Sequence, residues 1–366
     1  MAYTHPIHAA ALTFSTEVEG NQGHAITKNA AARNGTNRAL TIEDLVYVRN
    51  CLVRDNVVPA SNFEMHKLHS APNPYIASAA APAICMVIKD GMRHFGVDKD
   101  VLLNQIQNVP AVDKQMYSVR MKAVLNKNAR HNWNVADKIV RADIPNGINT
   151  TYNFRQTFLS EAKILRDALT NIGSRYGFSG RNMDTLKNLY AEANIYYKDE
   201  YKKNHFCGIS YHGDAERPNS PVIGCSFGAT RFLSFRAFQK NRYYPAGTET
   251  RIELEHGDIY FMSSAAVGSN WKKNSLITYR HRAGSLRFLE KDDKDRNRRW
   301  ELRDRKKAAK EAREAVPKRK SPAPTPKRKA PPMVEVTDYT ETVIKNGKRY
   351  KRCVTYVPLV DLTVED

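Results

Sequence analysis

Residues 208–236 read GISYHGDAERPNSPVIGCSFGATRFLSFR, and the first seven of them decide what kind of sheet this is. A short apolar run ends in His212 and Asp214 with one residue between them, just before a turn rich in Pro, Asn and Ser. Alternate residues of a strand point to the same side, so the imidazole and the carboxylate would share a face. One His and one Asp held in this way are two corners of a 2-His-1-carboxylate triad, which leaves positions on Fe(II) open for other ligands. Taken alone, the pair is equally a polar surface pair beside a turn. A second apolar strand, VIGCSFG, and a third, RFLSFRAF, follow at once across Gly-Ala-Thr.

Working outward, the texture after Ala193 is one of short strands broken by Gly, Pro and Asn: NIYY, CGISYH, VIGCSFG, RFLSFRAF, TRIELEHGDIYFM, SLITYRHR and SLRFLE. Strands of this length and spacing predict an antiparallel sandwich or barrel. Upstream, apolar spacing turns helical from LTIEDLVYVRNCLV onward, with Thr41 and Asp44 forming a capping-box start. Further helices are predicted over APAICMVIKDGMRHF, TFLSEAKILRDALTNIG and NMDTLKNLYAEA. The resulting division has five parts. Residues 1–40 are a polar, disordered N-terminus, 41–188 a mainly helical region and 189–290 the strand-rich core. Residues 291–332 are a basic Pro/Lys linker, and 333–366 a small hairpin with an Asn-Gly turn. The fold class is α+β.

The chain has 366 residues, 41% of them hydrophobic, and a formal net charge of +20. An excess this large points to a polyanionic partner such as nucleic acid. Residues 291–329 hold 17 Lys/Arg against 7 Asp/Glu, half of that excess. The KRK triplets at Lys318–Lys320 and Lys327–Lys329, separated by a Pro-rich spacer, read as a bipartite nuclear signal. Five scattered cysteines without a CxxC pair exclude a disulfide framework and a zinc ribbon, and fit a reducing, intracellular setting. The start of the chain lacks the blocks of a signal peptide, and no apolar run is long enough for a membrane span. Nothing in the sequence fixes an oligomeric state.

Five motifs, in order, give the chain a family resemblance. EANIYY carries Asn194 and Tyr196, and GISYHGDAER carries His212, Asp214 and Glu216. VIGCSFGATRFLSFR carries Ser226, Gly228 and Arg231, and LEHGDIYFMSS and SLITYRHRAG follow. Together they resemble the AlkB family of Fe(II)- and 2-oxoglutarate-dependent nucleic-acid dioxygenases over about 189–288, with a texture similar to members from large DNA viruses and some protists. The resemblance implies a double-stranded β-helix (jelly-roll) core and oxidation of an alkylated base in DNA or RNA. It implies Fe(II), 2-oxoglutarate and O2 as cofactor and co-substrates, with His212 and Asp214 on the metal and Asn194 and Tyr196 on 2-oxoglutarate.

The family pattern is not complete. No His lies between the Gly-Asp turn and the final strand, and Asn274 stands where the family carries an Arg. Two arrangements stay open. If SLITYRH is the penultimate strand and SLRFLE the last, His281 is the third metal ligand and Arg287 holds the co-substrate carboxylate. If SLITYR is the last strand, Arg280 holds it, His281 is structural, and the barrel is catalytically impaired, a nucleic-acid-binding or structural protein with a basic tail. Residues expected at the substrate are Glu216, Arg231, Tyr117, Arg130 and Trp133, since a base taken out of the stack is sandwiched by aromatic rings and Arg planes. For Arg231, one step after the Gly-Ala-Thr turn, two positions stay open, the carboxylate corner and the substrate phosphate.

Overall fold

The computed structural model describes residues 7–16, 39–68, 81–110, 115–118, 121–126, 131–176, 186, 189–197, 208–214, 220–240, 242–244, 248–268, 275–315, 339–345 and 348–354. In chain order the elements are β1 (Ile7–Ser15), α1 (Ile42–Arg54), β2 (Phe63–Lys67), β3 (Ile84–Ile88), α2 (Gly91–His94), α3 (Lys99–Gln107), β4 (Gln115–Ser118), β5 (Ala123–Asn126), β6 (His131–Ala136) and β7 (Thr151–Asn153). There follow α4 (Ser160–Arg175), β8 (Tyr190–Tyr197), β9 (Gly208–His212), β10 (Val222–Gly228), β11 (Arg231–Gln239), β12 (Arg242–Tyr243), β13 (Thr250–Leu254), β14 (Ile259–Met262), α5 (Ser264–Val267), β15 (Thr278–Gly284), α6 (Leu286–Ala315), β16 (Tyr339–Lys345) and β17 (Lys348–Val354). The chain divides into two compact units, Met1–Trp300 and Glu301–Asp366. In the second, β16 and β17 pair antiparallel, Tyr339 opposite Val354. No helix among the described residues is long and apolar enough to cross a membrane.

The first unit is built on two sheets. The larger has the order β2-β3-β14-β10-β1-β8-β6-β7, and the smaller β12-β11-β15-β9, with β13 pairing the first half of β11 on the edge that β12 also takes. From β8 onward the chain passes between them: β8, β10 and β14 join the large sheet, and β9, β11, β13 and β15 the small one. Each strand thus has one face for the space between the sheets. On its outer face the large sheet packs Ala10, Leu12, Phe14, Ile223, Phe227 and Phe261 against helical residues such as Leu45 and Leu52 of α1, Leu102 of α3 and Leu165 and Leu169 of α4. The inner faces meet in a second apolar cluster, with Val222 and Met262 from one sheet and Leu233, Phe235, Ile252 and Tyr279 from the other. Thr41 caps α1 as its sequence predicts: its hydroxyl accepts from the Asp44 N–H, and the Asp44 carboxylate accepts from the Thr41 N–H.

Several expectations are corrected. The stretch 1–40, read as disordered, contains β1, a central strand of the large sheet that pairs antiparallel with both β8 and β10. Its IHAAALTFS sequence is rich in alanine, a poor strand former, so propensity argued against it. Burial decides instead: Ala9, Ala10, Leu12 and Phe14 are completely covered. APAICMVIKDGMRHF, read as a helix, is strand β3 followed by the four-residue α2. All five residues of ICMVI are buried, and a fully buried strand shows no period-2 signal to tell it from a buried helix. The region 41–188 accordingly mixes three longer helices with strands β2 to β7 rather than being mainly helical. The last residues of NMDTLKNLYAEA likewise belong to β8. Finally, SLRFLE and the first half of the supposed linker are helix α6.

Helix α6 is anchored by a buried charge knot. Arg282, on the outer face of β15, has its side chain 1% exposed and donates to Glu249 at 2.8 Å and to Asp293 at 2.8 and 3.0 Å. It also meets Asp292 at 3.3 Å and the Leu289 carbonyl at 3.0 Å. A guanidinium offers five donors in a plane, which suits it to collect several carboxylates. Ser210 and Tyr211 of β9 reach the same knot, the first donating to Asp292 and the second to Glu249 at 3.1 Å.

Candidate metal centre

The knot explains how His212 comes to face inward. Ile209 of β9 lines the space between the sheets, while Ser210 and Tyr211 both point outward to the α6 knot. A regular strand would then turn His212 to the wrong side, but the pairing with β15 shifts between Ala283↔Ile209 and His281↔His212. This irregularity, one extra residue on β9, is a β-bulge, and it re-aims the imidazole into the interior. Across the ladder His281 is directly opposite, and its neighbours Arg280 and Arg282 take the outer face. Asp214 follows two residues after His212, with its N–H donating to the Val267 carbonyl of α5 at 3.1 Å.

The three side chains converge. His212 Nε2 lies 3.4 Å and His281 Nε2 3.3 Å from the same Asp214 Oδ1, and the two rings are 4.4 Å apart. One donor atom from each lies within 4.8 Å of the others, the only such His/Cys/Asp/Glu group among the described residues. The His212 Nδ1–H donates to the Ser210 carbonyl at 2.8 Å, since a carbonyl can only accept. In the neutral ring this leaves the lone pair on Nε2, aimed at the carboxylate. His281 presents its Nε2 to the same oxygen, so two imidazole nitrogens and a carboxylate surround one point. The donor set therefore fits a divalent transition metal held by two imidazoles and one carboxylate. Burial alone would raise the Asp214 carboxyl, but the imidazoles of His281 and His212 hold it well below the usual carboxylate range.

The group opens on a cavity of about 870 Å³, solvent at its mouth included. Its walls include Ala11, Thr13 and Ser15 of β1, Glu192, Asn194 and Tyr196 of β8, Ser226 of β10, Tyr260 of β14 and Arg231 of β11. Arg231 is buried, with its guanidinium 3.4 Å above the Tyr196 ring. The Asn194 side-chain oxygen is buried without a hydrogen-bond partner and lines the same space. Gly224 is required here, because a Cβ on it would fall on the Tyr260 ring.

The structure thus brings His212, Asp214, His281, Asn194, Tyr196 and Arg231 around one cavity, and separates other expected residues from it. Arg280 lies on the outer face of β15, 4.6 Å over Phe238, where burial and the nearby Arg296 lower its pKa. Arg287 is exposed on helix α6, not on a final strand. Trp133 is completely buried on the helix side of the large sheet, edge-on to Tyr152 at 5.5 Å. Tyr117 sits half-exposed on the separate β4–β5 hairpin. Glu216, Arg130, Asn274 and the KRK triplets are outside the described residues. Glu192, Thr13, Ser15 and Tyr260 went unread in the sequence. For Glu192 a signal existed, since it stands two residues before Asn194 and must share its face.

These features define an α+β protein of two facing, largely antiparallel sheets with a His–Asp–His group between them. No family model matches the sequence. The chain is 34% identical over 208 residues, 57% of its length, to an uncharacterized protein of Acanthamoeba polyphaga mimivirus, of which those residues cover 72%. The chain belongs to the same family as that mimivirus protein.

Proposed function

We propose that this protein is an Fe(II)- and 2-oxoglutarate-dependent dioxygenase that oxidises an alkylated base in DNA or RNA, and that its two sheets form a jelly-roll. The observation that carries the reading is the convergence of His212, Asp214 and His281 on a cavity that also contains Asn194, Tyr196 and Arg231. The repeated crossing of the chain between the sheets from β8 to β15, with β1 inserted in the large sheet between β8 and β10, supports the jelly-roll. When bound, ferrous iron with 2-oxoglutarate supplies oxidation of a C–H bond by O2. His212, Asp214 and His281 would hold the iron on one face and leave the other open.

The co-substrate is a dicarboxylate, and its far carboxylate needs a cation inside the cavity. Arg280 and Arg287, expected in that role, are outside it, whereas Arg231 lines it. We assign the carboxylate to Arg231, whose planar fork is kept in place by the Tyr196 ring, with Asn194 alongside. Arg231 is itself buried, and a low-dielectric surrounding strengthens such an ion pair. The net charge of +20 supports a phosphate-bearing substrate.

The test is turnover of an N-methylated single-stranded oligonucleotide, read as succinate and formaldehyde release. His281→Ala should abolish both products. Normal turnover by that variant would remove the metal assignment.

A further inference from the structure

Two of the crossings between the sheets are stapled to each other beside the cavity. One leaves β10 at Gly228 and reaches Arg231, the first residue of β11, through Ala229 and Thr230. The other leaves β13 at Leu254 and enters β14 at Ile259. β10 and β14 pair as far as Cys225 opposite Ile259. Past that rung the Ser226 N–H donates to the Asp258 carbonyl at 3.0 Å, and the Gly257 N–H donates to the Ser226 carbonyl at 2.9 Å. Alternate N–H groups of a strand point to the same edge, so Gly228 carries the next donor on this side. Gly257 is left-handed, with φ +97°, and the acceptor for Gly228 comes from a side chain: Nδ1 of His256, at 3.0 Å.

The ring of His256 is itself held from outside. A backbone N–H can only donate, so Nδ1 is the nitrogen without a proton, and Nε2–H donates to the Asp100 carboxylate of α3 at 3.2 Å. Lys99 of the same helix donates to the His256 carbonyl at 3.2 Å and to Asp90 at 2.9 Å. The ring also packs edge-on to Phe227, with centroids 6.3 Å apart.

What this grip governs is the start of β11. Arg231 pairs with Leu254, two residues before His256, so the crossing 228–231 is tied to the second crossing at both of its ends. Its guanidinium lies 3.4 Å above the Tyr196 ring and lines the cavity, whereas His256 does not line it. A displacement of about 1 Å in a group that must meet its ligand in one orientation is enough to cost much of the interaction.

We propose that His256 is a positioning residue for the co-substrate: by accepting the Gly228 N–H it fixes the crossing that presents the Arg231 fork to the far carboxylate of 2-oxoglutarate. The inference rests on the dioxygenase reading and on the place of Arg231 within it. His256 acts only through Arg231, so its effect should vanish once that guanidinium is gone.

The experiment is a double-mutant cycle on the full chain loaded with Mn(II) under nitrogen, read as the dissociation constant of 2-oxoglutarate. His256→Leu should weaken binding about tenfold in the wild-type background and leave it unchanged in Arg231→Leu. His256→Asn puts an amide oxygen where Nδ1 stands and should restore most of the affinity. His256→Gln, one methylene longer, reaches toward Asp100 instead and should resemble Leu; this polar pair decides the matter if His256→Leu does not fold. Equal weakening in both backgrounds, unchanged binding by His256→Leu, or an Asn variant as weak as the Gln variant would overturn the proposal with the dioxygenase reading intact. Unaltered 2-oxoglutarate binding by Arg231→Leu alone would remove the carboxylate assignment, and this inference with it. Failure of the wild type to take up Mn(II) and 2-oxoglutarate would remove the dioxygenase reading as well.

Discussion

Replacing Arg231 by Leu removes the guanidinium that, among the described residues, lines the cavity. The Arg fork makes two charge-assisted hydrogen bonds to a carboxylate, each contributing roughly 1.5–3 kcal/mol. Taking the lower figure for both, about 3 kcal/mol is lost, which is about 150-fold in the dissociation constant of 2-oxoglutarate. Arg231→Lys keeps the charge but not the fork, and should fall between the two, near tenfold. Arg280→Ala is the control, because its guanidinium stacks on Phe238 outside the cavity. The assay is calorimetric titration of 2-oxoglutarate into Mn(II)-loaded protein under nitrogen, with succinate as a monitor of the same subsite. If Arg280→Ala or Arg287→Ala weakened 2-oxoglutarate binding and Arg231→Leu did not, the assignment would be wrong.

Other outcomes follow from the fold. Arg282→Met leaves Glu249, Asp292 and Asp293 without their shared cation and should cost about 3–5 kcal/mol, read as a lowered urea midpoint. Burial raises the Glu249 carboxyl, but Arg282 outweighs it and holds the pKa below its ordinary value. Its contribution to stability is therefore present above the ordinary Glu pKa of about 4.3 and is lost as pH falls through the folded value. Arg282→Met should flatten this part of the acid-unfolding curve, and an unchanged curve would count against the ion pair. Deleting residues 1–16 withdraws a strand hydrogen-bonded on both sides, so circular dichroism should show loss of the cooperative transition. A variant that melts like the full chain would mean β1 is dispensable. Gly224→Val should lower Tm and weaken 2-oxoglutarate binding together, because its side chain displaces the Tyr260 ring.

The strands from Asn194 to Gly284 were legible because alternation, Gly-rich turns and a spaced His-Asp pair are local signals. The side taken by His281 was not. It depends on whether the following segment is a strand or a helix, and SLRFLE becomes helical through Asp292 and Asp293, which meet Arg282 in the fold. The inward turn of His212 depends on a bulge created by a pairing shift, which no single strand encodes. β1 was missed because its partners, β8 and β10, are about half the chain away and alanine carries no strand signal. For Arg231 the sequence leaves the carboxylate corner and the substrate phosphate both open, because its stacking on Tyr196 requires β8 and β11, from different sheets, to meet.

The central claim is that His212, Asp214 and His281 bind a ferrous ion and leave room on it for 2-oxoglutarate. Titration of the purified chain with Fe(II) under argon, followed by 2-oxoglutarate, tests it most directly. One ferrous ion should be taken up per chain, with a weak visible charge-transfer band on adding 2-oxoglutarate, both lost in His212→Ala. Absence of stoichiometric uptake, or full uptake by His212→Ala, would contradict it.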